Sequence, residues 1–200
     1  MGRPKRLLHC DRVAYIHSHT IQEVTLDDED RNLFIEVIKK YTEKNKYVEF
    51  YTTIHRDSFH SLVQFKKEID CSLQPKVLKQ EMTRAYNKRH KRKGTIWWDR
   101  YDDLTVIGED QILKTQLFLA CSQTCAGVVT RPQEEICSSF AAYTEGVEDG
   151  MTTLLPQYLA LGDTPEEQQA AFEQLVREAR RFVVCPCPVV CAVPPYGCYT

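Results

Sequence analysis

The spacing of hydrophobic positions switches between two periods along the chain, and the order of these periods predicts a fold of strands and helices. Residues 47–54 and 59–65 are rich in β-branched and aromatic residues and are separated by a polar stretch, which predicts an antiparallel pair. Residues 27–46 have apolar side chains at helical spacing, acidic residues first and lysines last, as the helix dipole favours. The predicted order is a strand at 10–19, a helix at 27–46, strands at 47–54 and 59–65, a helix at 74–92 and a strand at 95–107.

Further elements follow this β-α-β-β-α-β unit. A third helix is predicted at 108–127, a short helix at about 138–145 within an irregular stretch, and a solvent-facing helix at 163–182 with Asp163 or Thr164 as its N-cap. The predicted fold class is α+β, with a ferredoxin-like β-α-β-β-α-β antiparallel sheet, an added third helix and a C-terminal helix.

Composition narrows the class of protein. Apolar residues make up 42% of the 200 residues and charged residues 27%, which is ordinary for a globular protein. No apolar run reaches the length of a membrane span, so no membrane partner is expected. The opening MGRPKRLLHCDR lacks the apolar core of a signal peptide, and a cytoplasmic location is therefore expected.

The net charge of −2 conceals an uneven distribution. Residues 76–101 carry nine basic and two acidic side chains, whereas residues 102–178 carry three basic and fourteen acidic ones. Basic residues mixed with aromatic ones suit phosphate contact beside base stacking, although a solvated helical face is the more common reason for a basic run. The candidate DNA-binding residues are Lys88, Arg89, His90, Lys91, Arg92, Lys93, Trp97, Trp98 and Arg100.

Four of the nine cysteines lie in the C-terminal sequence CPCPVVCAVPPYGC. Four thiols within fourteen residues are enough for a zinc or copper(I) site, but neighbouring prolines restrict closure around one ion, and the spacing matches no paired knuckle. An incidental extension without a role is the favoured alternative. Because prolines and cysteines dominate residues 183–200, this tail is expected to be disordered.

Several sequence segments, in order and at matching spacing, resemble one family. They are MGRPKRLL, LDDEDRNLF, YNKRHKRKGTIWWDRY, CAGVVTRPQE, SSFAAY and YLALGDTPEEQQAAF. From Met1 to about Phe182 the chain resembles the REP-associated tyrosine transposases and their insertion-sequence relatives, the single-tyrosine HUH transposases. The resemblance implies a transposase-like HUH domain at 1–146 and a helical extension at 147–182, and it does not include the tail at 183–200.

The family chemistry that the resemblance implies has three parts. A His-x-His pair on a central strand and a polar residue of the third helix hold a Mg²⁺ or Mn²⁺ ion, and a tyrosine on that helix attacks single-stranded DNA. This chain departs from each part. Ser58 replaces the first metal histidine while His60 is retained, Phe118 occupies the nucleophile position, and Ser122 occupies the third-ligand position. Phenylalanine has no oxygen with which to attack phosphorus, so cleavage is expected to be lost and the cation not to be bound.

Displaced groups are the alternatives. His55 and Asp57 are the nearest other ligands to His60, but Asp57 lies on the opposite strand face. His17 and His19 share a strand face at metal-ligand spacing, yet they lie on another strand, and packing or surface roles are favoured for histidines without a third partner. Tyr86 and Tyr101 match aromatic positions that are not the family nucleophile, and Gln123 lies one position from the ligand slot.

Three functions are therefore weighed. The favoured one is a transposase-family protein that binds hairpin or single-stranded DNA without cleaving it. The alternatives are an active transposase that uses displaced residues, and a metal-binding or protein-interaction module that depends on the tail. A homodimer is compatible with the resemblance, because the family includes both dimers and monomers.

Overall fold

Four strands and six α-helices make up the described part of the computed structural model, which covers residues 12–43, 47–65, 73–125, 127 and 129–180. The elements are β1 Val13–His19, α1 Asp28–Glu43, β2 Tyr47–Ile54, β3 Ser58–Phe65, α2 Leu73–Arg89, β4 Asp102–Thr105, α3 Glu109–Cys125, a 3₁₀ turn at Pro132–Glu134, α4 Phe140–Thr144, α5 Pro156–Leu159 and α6 Pro165–Ala179. The predicted tail at 183–200 lies outside the described residues.

The four strands form one sheet in the order β2-β3-β1-β4, and every neighbouring pair is antiparallel. This is the ferredoxin-like arrangement, so the predicted α+β class is confirmed. The register places His17 of β1 opposite His60 of β3 and opposite Asp102 of β4, and it places His19 opposite Ser58. Polar side chains of three strands therefore meet at one end of the sheet.

Each face of the sheet packs against different helices, because successive side chains of a strand point to opposite faces. On one face Ile16 and Phe59 join the same buried cluster as Phe34 of α1 and Met82 of α2. On the other face Tyr15 and Leu62 pack with residues of α3, α4, α5 and α6. The histidine-bearing positions of β1 and β3 belong to this second face, beneath α3.

The C-terminal helix is amphipathic rather than wholly solvent-facing. Thr164 caps its first turn by accepting a hydrogen bond from the Glu167 N–H, and Pro165 occupies the first helical position. Phe172 and Val176 are buried against the second face of the sheet. The predicted extension at 147–182 thus shares a hydrophobic cluster with the predicted domain at 1–146.

The outer edge of β2 is hydrogen-bonded to a segment of the chain itself. The Ser139 N–H donates to the Thr52 carbonyl at 2.8 Å, and the Thr153 N–H donates to the Glu49 carbonyl at 2.8 Å. The hydroxyl of Tyr143 donates to the Phe50 carbonyl at 2.8 Å. Residues 137–153 therefore cover this edge strand. No helix among the described residues is long and apolar enough to cross a membrane.

Candidate functional site

Four histidine rings lie together at the end of the sheet. The ring centres of His55 and His60 are 4.9 Å apart, those of His17 and His19 are 5.6 Å apart, and those of His17 and His60 are 5.9 Å apart. His19 lies 6.0 Å from His60 on the same measure. We call His17, His19, His55 and His60 the histidine cluster.

The cross-strand register brings β1 into this cluster. His17 and His19 are two residues apart and so share a face, and His17 is directly opposite His60. The preference for packing or surface roles rested on the lack of a third partner, and His60 supplies one. Strand register decides which residues of β1 lie opposite those of β3, and the sequence pattern does not specify that register.

A chain of hydrogen bonds runs through His60. The Tyr15 hydroxyl lies 2.7 Å from Nδ1 of His60, Nε2 of His60 lies 3.1 Å from Oγ of Ser58, and the Ser58 hydroxyl donates to Asp57 at 3.2 Å. Because the Ser58 proton goes to Asp57, Ser58 accepts from Nε2–H of His60, and Nδ1 accepts from the Tyr15 hydroxyl. Both nitrogens of the retained family histidine are thus engaged in hydrogen bonds.

Ser122 makes a second such link from α3. Its hydroxyl donates to the Leu119 carbonyl at 2.8 Å and lies 2.9 Å from Nε2 of His55. The adjacent Gln123 points elsewhere, since its amide nitrogen donates to the Thr53 hydroxyl at 2.9 Å. The position after the ligand slot therefore contributes no group to the histidine cluster.

Phe118 lies one turn before Ser122, at the nucleophile position that the resemblance implies. Its ring is 6.3 Å from the ring of Tyr15, at an interplanar angle of 88°. This edge-to-face contact is typical of aromatic packing. The structure thus brings Ser58, His60, Phe118 and Ser122 to one place, and Phe118 fills its position with a partly buried hydrocarbon ring.

Burial lowers the pKa of every histidine of the cluster, which favours the uncharged form at neutral pH. Burial lowers the pKa of His17 to about 4, although the carboxylate of Asp102 opposes the shift. Burial also lowers the pKa of His55 to about 3 and holds that of His60 well below its ordinary value, with the neighbouring histidines adding to the effect. Neutral imidazoles can accept a hydrogen bond or a metal ion through one nitrogen.

The residues at the family ligand positions do not fit a Mg²⁺ or Mn²⁺ ion. The set that the resemblance implies has two imidazoles and a polar residue of the third helix, and a neutral serine hydroxyl is a poor substitute ligand for such an ion. The three positions here offer one imidazole and two neutral hydroxyls, and both hydroxyls already bond histidines.

The basic candidates lie at the end of α2 and in the loop before β4, but they are not equivalent. Arg89 pairs with Asp27 at 2.8 Å, Glu29 at 2.7 Å and Asp30 at 2.9 Å, and His90 lies 2.9 Å from the same Asp30 carboxylate. These contacts join the end of α2 to the start of α1. Arg89 is thus held in ion pairs and His90 in a hydrogen bond to Asp30 within the protein, which leaves both less available for phosphate.

The remaining basic candidates differ in their exposure to solvent. Arg92 is partly buried and lies over the ring of Tyr86, with 5.8 Å between its guanidinium carbon and the ring centre. The exposed cations of this stretch are Lys88, Lys91, Lys93 and Arg100. We call these four residues together with Trp98 the basic loop surface.

The two adjacent tryptophans have opposite environments. Trp97 is 5% exposed, packs near Phe34 and Phe59, and donates its indole N–H to the Lys79 carbonyl at 3.1 Å. The prediction that Trp97 stacks on bases is therefore wrong, because its ring belongs to the core. Trp98 is 71% exposed and is free of that constraint.

Trp98, one member of the basic loop surface, lies next to the end of β1. The backbone N–H of Trp98 donates to the His19 carbonyl at 3.0 Å, and Thr20 pairs with Trp97 in an isolated bridge. The loop is thus anchored to the end of β1.

The fold is shared with a transposase of known structure. No protein-family model and no curated protein sequence matches the chain. The structure of a REP-associated tyrosine transposase bound to a REP hairpin matches with a TM-score of 0.63 and 12% identity, over 76% of this chain and 92% of that one. A protein assigned as a transposase from Deinococcus radiodurans R1 matches with a TM-score of 0.43 and 16% identity, over 58% of this chain and 95% of that one.

The class that the architecture defines is thus an α+β protein with a ferredoxin-like sheet and a helix across the histidine-bearing face. Within that class the chain has the fold of the REP-associated tyrosine transposase, and the resemblance predicted from the sequence is confirmed at the level of the fold.

Proposed function

We propose that the protein is a cytoplasmic DNA-binding protein that holds hairpin or single-stranded DNA without cleaving it. The observation that carries the proposal is the pairing of an exposed basic loop surface with a nucleophile position filled by Phe118. The transposase with the same fold was solved with a hairpin bound, which supports DNA as the partner.

The basic loop surface has the chemistry that nucleic acid requires. Exposed Lys and Arg side chains neutralise phosphates, and an exposed tryptophan offers a face on which a base can stack. Trp98 lies between Lys93 and Arg100 in the sequence, and all three are exposed. Stacking tolerates any base, so we expect binding to depend on strand geometry more than on sequence.

Absence of cleavage is the second half of the proposal. Phe118 has no hydroxyl, and the family ligand positions hold a donor set that suits neither Mg²⁺ nor Mn²⁺. We therefore propose that the family cation is not bound at Ser58, His60 and Ser122. Two separate requirements of the reaction are then missing.

The test is fluorescence anisotropy of a labelled DNA hairpin with a single-stranded overhang, titrated with protein at several salt concentrations. If the four exposed cations each contact a phosphate, the log–log salt slope is about −3, since each contact contributes about −0.7 on a single strand. Lys40→Ala is the control for replacement of one of the four cations by alanine, and it should leave DNA binding unchanged. Lys40 is also an exposed lysine, but it lies at the opposite end of α1 from the ion pairs of Arg89. Absence of binding at low salt would reject the proposal.

An active enzyme that uses displaced residues is the second candidate, and one observation favours it. Tyr15 bears a hydroxyl within hydrogen-bond distance of His60, which resembles a nucleophile beside a base. Tyr15 is only 1% exposed, however, so a phosphate reaches it only if α3 moves. A covalent protein–DNA adduct formed with Mn²⁺ and lost in Tyr15→Phe would establish this candidate.

A further inference from the structure

The histidine cluster has dimensions close to those of a metal site. Two imidazoles bound to one ion at about 2.0–2.1 Å, with a tetrahedral angle between them, have ring centres about 5–5.5 Å apart. The ring centres of His17, His19 and His60 are separated by 5.6, 5.9 and 6.0 Å. These separations lie slightly above that range, and among the described residues the ligand atoms of the three histidines do not already converge on one point, so binding at the cluster requires their side chains to move closer together.

One nitrogen in the cluster is buried without a partner. His17 is 5% exposed, and its Nδ1 atom has no hydrogen-bond partner. A buried polar atom without a partner costs free energy, and such atoms are rare in native proteins. A ligand that accepts a nitrogen lone pair would remove that cost.

The donor set indicates which ion fits. Three neutral imidazoles from two adjacent strands suit zinc and its first-row neighbours, whereas Mg²⁺ and Ca²⁺ prefer oxygen. We infer that His17 and His19 of β1 and His60 of β3 bind a Zn²⁺-class transition-metal ion, with a fourth position left for water or another ligand. Two of the three ligands come from β1, at positions that the resemblance does not mark as ligands.

Binding requires a change of tautomer at His60. Its Nε2 now donates to Ser58, so Nε2 must give up that proton and Nδ1–H must donate to the Tyr15 oxygen instead. A metal-bound histidine commonly donates its other N–H to an oxygen in this way. Tyr15 is already 2.7 Å from Nδ1 and needs no movement for this role.

A second group of three residues, Asp27, Asp30 and His90, is an alternative place for a metal ion to bind. Within the described residues, the ligand atoms of Asp27, Asp30 and His90 already converge enough to surround an ion. The Arg89 guanidinium lies against both carboxylates, so a cation already occupies that site. We therefore expect His90 to be dispensable for metal binding.

The experiment is equilibrium dialysis of the full chain against Zn²⁺ under reducing conditions, followed by elemental analysis. The double variant His17→Asn/His19→Asn should lose one bound zinc per chain relative to wild type, whereas His90→Asn should lose none. Tail thiols contribute equally to all three proteins, so the difference isolates the histidine cluster. Equal zinc content in wild type and the double variant would overturn the inference.

A measurement on the wild-type protein covers the case in which the double variant fails to fold. Co²⁺ bound at the cluster should broaden the imidazole NMR signals of His17, His19 and His60 before that of His90. Broadening of the His90 signal first, or of none of them, rejects the site. This inference does not rest on DNA binding, since both measurements are made without DNA.

Discussion

The backbone N–H of Trp98 donates to the carbonyl of His19 at 3.0 Å, which fixes an exposed indole next to the end of the histidine-bearing strand. The neighbouring Trp97 faces inwards and bonds the Lys79 carbonyl. Of these two adjacent tryptophans, Trp98 is therefore exposed to solvent and Trp97 packs in the core.

Replacing each tryptophan by alanine should have different effects. We expect Trp98→Ala to weaken DNA binding by about 1–3 kcal/mol, as for loss of one stacked base, with little change in thermal stability. Trp97→Ala should instead lower the free energy of unfolding by about 3–5 kcal/mol, because it leaves a cavity beside Phe34 and Phe59. Anisotropy and urea unfolding measure the two effects. Equal binding by wild type and Trp98→Ala would remove Trp98 from the DNA surface.

Restoring a hydroxyl at position 118 should not restore cleavage. Phe118→Tyr supplies an oxygen, but the positions of Ser58 and Ser122 still lack metal ligands. We expect no adduct above background when the variant is incubated with labelled hairpin and Mg²⁺ or Mn²⁺ and examined on a denaturing gel. Phe118→Leu is the control for background labelling. An adduct with the tyrosine variant alone would show that another donor set holds the ion.

Asp30 should be important for stability. Its side chain is fully buried and receives hydrogen bonds from Arg89 and His90. Since hydrogen bonds to charged groups are the strong ones, Asp30→Asn should lower the free energy of unfolding by about 1–3 kcal/mol. Glu29→Gln serves as a control, because the Glu29 side chain is 69% exposed and such a pair contributes about 0–1 kcal/mol. Urea unfolding that gives equal losses for both variants would contradict this.

Acid should destabilise the protein partly through His55. Its pKa falls from 6.5 to about 3 on burial, so the unfolded chain binds more protons than the folded one between these values. The contribution of His55 to the free energy of unfolding is therefore fully present above pH 6.5. It falls as the pH drops towards 3, by up to about 1.4 kcal/mol per pH unit. Urea unfolding with EDTA present should show a shallower slope for His55→Gln.

Comparing wild type with His55→Gln also cancels the pH dependence of Glu135, which has the opposite sign. Burial raises the pKa of Glu135 from 4.5 to about 8, so that residue costs stability as the pH rises between these values. Glu135 is present in both proteins, and its contribution cancels in the difference between their slopes. Identical slopes for wild type and His55→Gln from pH 6.5 to 4 would show that His55 is not buried uncharged.

Periodicity is enough to predict the order of the elements from β1 to α3, whereas the short helix α5 at Pro156–Leu159 lies in a stretch that the pattern presents as irregular. Residues 47–54 are predicted as a strand and form β2, because both period and β-branched content agree there. The strand predicted at 95–107 shortens to Asp102–Thr105, since Trp97 turns into the core and the following residues leave the sheet. Local pattern cannot distinguish an inward tryptophan from an outward one when the two are adjacent.

The candidate site depends on contacts that are distant in sequence. His17 and His60 meet through strand register, and Arg89 meets Asp30 through the packing of α1 against α2. Residue type alone presents Arg89 as one more cation of a basic run. The sequence signal for the histidine cluster is the spacing of His17 and His19. That spacing indicates a cluster only when the pairing of β1 with β3, which brings in His60, is known.

The covered edge of β2 also affects how two copies can meet. Because residues 137–153 already bond the backbone of β2, a second molecule cannot extend the sheet there. The opposite edge strand, β4, is four residues long and begins with Asp102 and Asp103, whose charges oppose strand addition. Any homodimer is therefore expected to form through helices or loops, and the native sheet is protected against edge-to-edge aggregation.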